Sequence, residues 1–186
     1  MRVPRTLAFF AFILVAQTQA ADKRPMTLDD FFAVKRVAAP QISPDGKHVA
    51  YQVTEVDLAK NKTHTALWVT TTDGKGAPKQ LTPKDMKGAS PRWSPDGKHI
   101  LFASGNQLFV TDRDGREPKQ VTNISTGATN GIWAPDGKSI AFVSSVYPEF
   151  SEKPFGESDK LNKEKNEEIE KSPVKAKTFT KLFYRH

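Results

Sequence analysis

The chain contains no cysteine in 186 residues. That excludes disulfides, thiol nucleophiles, Cys-ligated zinc and iron–sulfur clusters, so the fold must be held by packing alone. A single-signed charge excess is also missing. Twenty-eight basic residues face 21 acidic ones, and both signs are scattered along the chain. No basic stripe interleaved with aromatics is present, which argues against a nucleic-acid partner. There is no HExxH and no compact carboxylate cluster, so neither a metal nor a cofactor is implied. Long apolar runs are absent after residue 20.

Residues 1–20 have the form of a secretory leader. Met1–Arg5 is a short cationic region, "TLAFFAFILVA" (6–16) is an apolar core, and Thr18 and Ala20 occupy the small-residue positions before a cut. The alternative, an uncleaved anchor, requires a longer apolar span than this. Without cysteine after the core, an acyl-lipid anchor is excluded. A mature chain would begin near Ala21 or Asp22, keep no membrane segment, and carry 26 basic against 21 acidic residues once Arg2 and Arg5 are removed. Export without disulfides suits a bacterial periplasm better than a eukaryotic secretory route. Asn61 and Asn123 open short glycosylation-type patterns that arise easily by chance.

What the sequence does have is repetition. "ISPDGKHVAY" (42–51), "WSPDGKHILF" (93–102) and "WAPDGKSIAF" (133–142) share one pattern, with Asp45, Asp96 and Asp136 spaced by 51 and 40 residues. A second motif has the same period: "LWVTTTDGKGAPKQLT" (67–82) matches "LFVTDRDGREPKQVT" (108–122) with one residue dropped. Each unit reads as strand, Ser-Pro-Asp-Gly type I turn, strand, third strand, Asp-Gly turn and a short fourth strand. A 40-residue repeat of four short antiparallel strands predicts a β-propeller blade. A flat meander or sandwich is the rival, but sandwiches rarely keep a fixed period. The fold class is therefore all-β, an incomplete propeller of about two and a half blades, with a short N-terminal helix and a charged, partly helical insertion.

These PDG turns, each followed by an apolar strand, resemble the blades of TolB-like propellers and those of prolyl oligopeptidase-family serine peptidases. "MTLDDFFAVKRVAAPQISPDGKHVAY" (26–51) is similar to the opening of the acylaminoacyl-peptidase and dipeptidyl-peptidase branch. "SSVYPEF" (144–150), followed by a charged insertion and "KLFYRH", is similar as well. The resemblance implies an exported propeller that gates a C-terminal hydrolase domain acting on short peptides. A non-enzymatic, TolB-like periplasmic interaction propeller is the alternative.

The expected organisation is a leader (1–20), a helical lead-in (21–40), blades (41–147), a charged insertion (148–177) and the start of a further strand (178–186). Thr27 and Asp30 form a capping-box pattern for a lead-in helix whose apolar face is Leu28, Phe31, Phe32 and Val34. "SDKLNKEKNEEIEKS" (158–172) predicts an exposed helix capped by Ser158, stopped at Pro173 and anchored loosely by Leu161 and Ile169. The pattern places His186 in mid-blade, so the chain reads as part of a longer protein or an incomplete gene product.

Candidate site residues are few. The resemblance calls for a G-x-S-x-G elbow, and the nearest match is "GKSIA" (137–141), whose Ser139 shares a repeat position with His48 and His99 at a strand start. No catalytic residue is therefore assigned. His48, His99, His64 and His186 lie in different blades, a hairpin and the terminus, which is no zinc pattern. Asp112–Gly115 suits a turn better than a calcium loop. Trp93 and Trp133 share the position before the turn and read, with Trp68, as packing residues rather than a sugar platform. One functional candidate remains. Dipeptidyl peptidases of the resembling family hold a substrate's amino group with propeller carboxylates, and Glu149 beside the insertion is the matching carboxylate here.

Overall fold

The computed structural model describes residues 24–116 and 118–173. The leader, the segment 174–186 with its expected strand, and His186 lie outside the described residues. A short helix, α1 (Leu28–Ala33), comes first. It opens with the expected capping box: Thr27 Oγ1 accepts from Asp30 N–H, and Thr27 N–H donates to Asp30 Oδ2 at 2.9 Å. Arg24 grips the same carboxylate with both guanidinium nitrogens. Of the expected apolar face only Phe32 is partly covered, while Leu28, Phe31 and Val34 stay exposed.

Two four-stranded antiparallel sheets and one two-stranded sheet follow. The first holds β1 (Arg36–Ile42), β2 (His48–Asp57), β3 (Lys62–Thr71) and β4 (Lys79–Gln80). The second holds β5 (Ala89–Trp93), β6 (His99–Ser104), β7 (Gln107–Asp112) and β8 (Lys119–Gln120). The third pairs β9 (Thr129–Trp133) with β10 (Ile140–Val143). Chain order equals spatial order within each sheet, as a blade requires. The first strand begins at Arg36, ahead of the expected residue 41. The ten extra residues of the first unit lie in one hairpin: β2 and β3 are each ten residues long against six for β6 and β7, and their loop is two residues longer.

The repeat motifs are explained by their hydrogen bonds. Ser43 N–H donates to His48 O and Ser94 N–H to His99 O, each at 2.9 Å, closing the two SPDG turns. Asp45 Oδ1 accepts from Ser43 Oγ and Lys47 N–H, and Asp96 Oδ1 accepts from Ser94 Oγ and Lys98 N–H. Gly46, Gly97 and Gly137 take φ of 71°, 68° and 67°, the left-handed region that closes the turn. The "KQLT" and "KQVT" ends work alike. Thr82 Oγ1 accepts from Leu67 N–H and Thr122 Oγ1 from Leu108 N–H, so a threonine hydroxyl replaces the backbone at the end of a two-residue strand.

A regularity not anticipated from sequence lies in the first strand of every blade. Ala39, Ser90 and Asn130 occupy equivalent positions and have φ of 50°, 54° and 51°. In the first two blades the pairing register shifts there, between Ala38 and Gln41 and between Ala89 and Arg92. Each is a bulge that bends the strand.

The core lies between sheets. Ala50, Leu67, Val69 and Leu81 of the first blade meet Ile100 and Phe102 of the second, with Trp93 and Phe109 packed against them. Leu101 and Leu108 on the other face meet Ile124 and Ala128, with Trp133 and Ile140 alongside. Burying a side chain such as Phe102 contributes about 2–3 kcal/mol. The tryptophans before the turns tie blades together: Trp93 Nε1–H donates to Gln41 O at 2.9 Å, and Trp133 Nε1–H donates to Arg92 O at 3.2 Å. Trp68 lies within the first blade, opposite Tyr51 and Gln80. β1 contacts β5 and β5 contacts β9, but β1 and β9 do not touch, so the described sheets form an arc and not a closed ring.

Candidate functional site

The chain leaves the last blade at Ser144, turns through a single 3₁₀ turn (Pro148–Phe150) and enters α2 (Phe155–Lys171). α2 starts at Phe155 with Pro154 at its N-cap, four residues before the expected Ser158 cap. Ser158 lies inside the first turns and is buried. The docked face is polar: Ser158 and Asn162 are buried, whereas Leu161 is half-buried and Ile169 exposed. The expected apolar anchors thus give way to a Ser158–Asn162–Asn166 stripe spaced four residues apart on one helix face.

That stripe engages the exit segment directly. Asn162 Oδ1 accepts from Tyr147 N–H at 2.9 Å, while its amide nitrogen donates to Ser158 O at 2.8 Å. Tyr147 OH donates to Asn166 Oδ1 at 2.8 Å. Asp159 Oδ1 accepts from both N–H and Oγ of Ser125, holding α2 to the loop before β9. Each buried polar atom named here has a partner, which is the condition for a polar group to be buried at little cost.

Glu149 sits in the 3₁₀ turn with its side chain 45% exposed. Its carboxylate already has a cation, the Lys165 ammonium of α2. Lys165 Nζ also lies 4.6 Å from the Tyr147 ring centroid and 5.7 Å from that of Phe150, a cation–π arrangement. A cavity of about 320 Å³ opens beside it, lined by Thr126, Ser145, Val146, Tyr147 and Asn166. Neither Glu149 nor Lys165 lines this cavity, whose polar groups are the hydroxyls of Thr126, Ser145 and Tyr147 and the Asn166 amide. It contains no histidine to act as a base toward its serines.

The other candidates are spread through the blades. Ser139 ends the third turn, its carbonyl accepting from Ala134 N–H at 2.8 Å. His48 and His99 occupy matching strand starts in separate sheets. His64 lies on β3, and its Nε2 is buried without a partner among the described residues, as is His48 Nδ1. Asp112 Oδ1 accepts from Asp114 N–H and Arg116 N–H, which accounts for the DRDG turn. The described residues contain no group of three or more potential metal ligands. None of their helices is long and apolar enough to cross a membrane.

Three antiparallel sheets with shared turns, bulges and interblade tryptophans lead to a match with the TolB beta propeller domain, PD40, over residues 30–147. The chain belongs to the TolB β-propeller family. Within that family its curated relatives include peptidases. It is 32% identical over 100 residues to the Bacillus subtilis protein named uncharacterized peptidase YuxL, covering 51% of this chain and 15% of that protein. It is 37% identical over 79 residues to Porphyromonas gingivalis dipeptidyl-peptidase 5, covering 42% of this chain and 11% of that one. Among solved structures it resembles Pyrococcus horikoshii acylaminoacyl peptidase at 25% identity and a TM-score of 0.51, over 61% of this chain and 18% of that one. The chain thus spans less than one fifth of the length of these peptidases.

Proposed function

We propose that this TolB-type propeller segment is the exported N-terminal, substrate-gating part of a prolyl oligopeptidase-family serine peptidase of dipeptidyl or acylaminoacyl type. The observation that carries the reading is the kinship with peptidases several times longer than the matched stretch. The propeller acts as a steric filter over a hydrolase domain, and acyl transfer to serine takes place in that domain. Residues 1–20 direct export and are removed. Short peptides are the partners, and they reach the hydrolase through the propeller.

Glu149 is the residue we assign to substrate. A buried or half-buried ammonium needs a carboxylate partner, and Lys165 marks the place where a cation is held. A peptide's free amino group replaces Lys165 at Glu149 when it binds. Losing a hydrogen bond to a charged group costs roughly 1.5–3 kcal/mol. In the intact peptidase, Glu149→Gln is therefore expected to lower kcat/KM on dipeptidyl-nitroanilides by about tenfold or more. An unchanged kcat/KM removes Glu149 from the site.

Sequencing the gene beyond His186 tests the wider proposal. A G-x-S-x-G followed by Asp and His is expected. Further blades and then a stop would favour the TolB-like interaction module instead. The 186-residue chain alone should release no nitroaniline from such substrates, and measurable turnover would overturn the assignment of catalysis to another domain.

A further inference from the structure

The first strand of blade three differs from its counterparts at one place. Pro40, Pro91 and Gly131 share a repeat position, each five residues ahead of its turn aspartate, Asp45, Asp96 or Asp136. Pro91 is fully buried. Gly131 has no ring to fill the matching place, and a cavity of about 410 Å³ opens there between blades two and three. A Cβ on Gly131 would stand 2.7 Å from Leu108 Cδ1 and 2.9 Å from Leu101 Cδ2, both in the wall of that cavity. The missing side chain keeps this space clear.

Arg92 lines the same cavity and is its one charged residue among the described residues. The repeat equivalents of Arg92, Gln41 and Ile132, are uncharged. Arg92 pairs across the sheet with Leu101, whose side chain faces blade three, so both leave the sheet on that side. The guanidinium is half-buried, and its Nη1–H donates to Pro91 O at 2.9 Å. Among the described residues no carboxylate forms an ion pair with it. A guanidinium carries five N–H donors in a planar fork, so this one keeps donors for a further partner. Ser90 and Asn130, the two bulge residues with φ of 54° and 51°, stand in the same lining. Leu101, Leu108 and Ile132 make the rest of the wall apolar.

We propose that this cavity binds an organic monocarboxylate with an apolar body, the chemistry of a peptide's C-terminal carboxylate on an apolar residue. Arg92 receives the carboxylate through paired N–H donors, the geometry a guanidinium fork favours. Ser90 and Asn130 offer further hydrogen bonds at the rim, and Leu101, Leu108 and Ile132 take the apolar body. A single cation matches a single negative charge. A phosphate dianion set against leucines would lose more hydration than one guanidinium returns. The cavity shares no lining residue with the one beside Glu149. It is built from blades two and three alone, and the proposal does not depend on the peptidase reading.

Trp133 supplies the readout, since its Nε1–H donates to Arg92 O at 3.2 Å. The full chain, at a concentration where light scattering reads a monomer, is titrated with N-acetyl-leucine, N-acetyl-leucinamide and sodium phosphate while tryptophan emission is followed. N-acetyl-leucine should saturate the change and bind at least tenfold tighter than the amide or phosphate. This comparison needs no variant, so it holds whether or not a substituted chain folds. Arg92→Met keeps an apolar stem without the charge and should abolish the preference for acid over amide, whereas Arg92→Lys should recover part of it. Gly131→Ala narrows the cavity and should weaken N-acetyl-leucine while leaving acetate unchanged. Equal binding of acid and amide, phosphate bound as tightly as N-acetyl-leucine, no saturation at all, or an Arg92→Met chain that still prefers the acid would each overturn the proposal.

Discussion

Serine at 43 and 94 and alanine at 134 give the three PDG turns different strengths. Ser43 Oγ accepts from His48 N–H and donates to Asp45, and Ser94 Oγ does the same with His99 N–H and Asp96. At the third turn the backbone bonds persist, but of the three side-chain bonds Ala134 leaves one, from Lys138 N–H to Asp136 Oδ1. Ala134→Ser restores the two missing interactions on a backbone that already matches. We expect stabilisation of about 0.5–1.5 kcal/mol, read from denaturant midpoints. The same geometry sets a pH dependence. Hydrogen bonds from Ser43 and Lys47 N–H hold the Asp45 carboxyl below its ordinary range, and Ser94 and Lys98 N–H act likewise on Asp96. A folded pKa below the unfolded one means the stabilisation is present above about pH 4 and is lost as pH falls through the lower folded values. Melting temperature should be level from pH 7 to 5 and fall below 4. The double variant Ser43→Ala/Ser94→Ala should show a shallower fall, and an equal slope would deny these carboxylates the effect.

At the scale of the element, α2 is attached by amides and ion pairs rather than by apolar burial. Asn162 is 2% exposed and holds Tyr147 N–H. Asn162→Ala leaves that donor without its partner, a cost of about 1–3 kcal/mol concentrated on one local contact. Asn162 belongs to neither core cluster of the blades, so the helix should loosen while they persist. Limited proteolysis in the Lys- and Glu-rich stretch 160–171 is expected to quicken about tenfold, with little change in the main melting transition. An unchanged cleavage rate would mean the helix is held elsewhere. This attachment also marks where sequence reading stops. The blades were legible because SPDG, DG and KQ(L/V)T each encode a local hydrogen-bond pattern that recurs at one period. The bulges were not, because Ala39, Ser90 and Asn130 share a backbone angle but no residue type. The docking face of α2 was missed for a related reason. Apolar spacing does not locate the buried side of α2: Ser158 and Asn162 are buried bonded to each other, and Asn162 and half-buried Asn166 both bond Tyr147. The i, i+4, i+8 run of small polar residues inside a Lys/Glu helix was the available signal. Glu149 was legible as a carboxylate beside the insertion, but its partner Lys165 was not, since sixteen residues and a turn separate them.

At the scale of the molecule the arc formed by the described residues leaves apolar surface exposed on both of its end blades. Val37 and Ile42 on β1 are 64% and 67% exposed, and Ile132 and Val143 of the last blade are 53% and 56% exposed. In the interior interface the corresponding surfaces bury Leu101 and Phe102 almost completely. Blades are stabilised by their neighbours, so an arc lacks the interface terms that a closed ring supplies at every blade. Exposed sheet faces and free strand edges are also templates for association. The purified chain lacking residues 1–20 should therefore elute as a concentration-dependent mixture of oligomers and melt broadly. Light scattering on a size-exclusion column and calorimetry at two concentrations measure both. Lysine at Val37 and Ile132 places charge on the two open faces without entering either core cluster. The double variant Val37→Lys/Ile132→Lys should shift the distribution toward monomer. If the parent chain instead runs as a single monomeric species with one sharp transition, the open faces are covered from within the chain, and the arc is a self-sufficient unit.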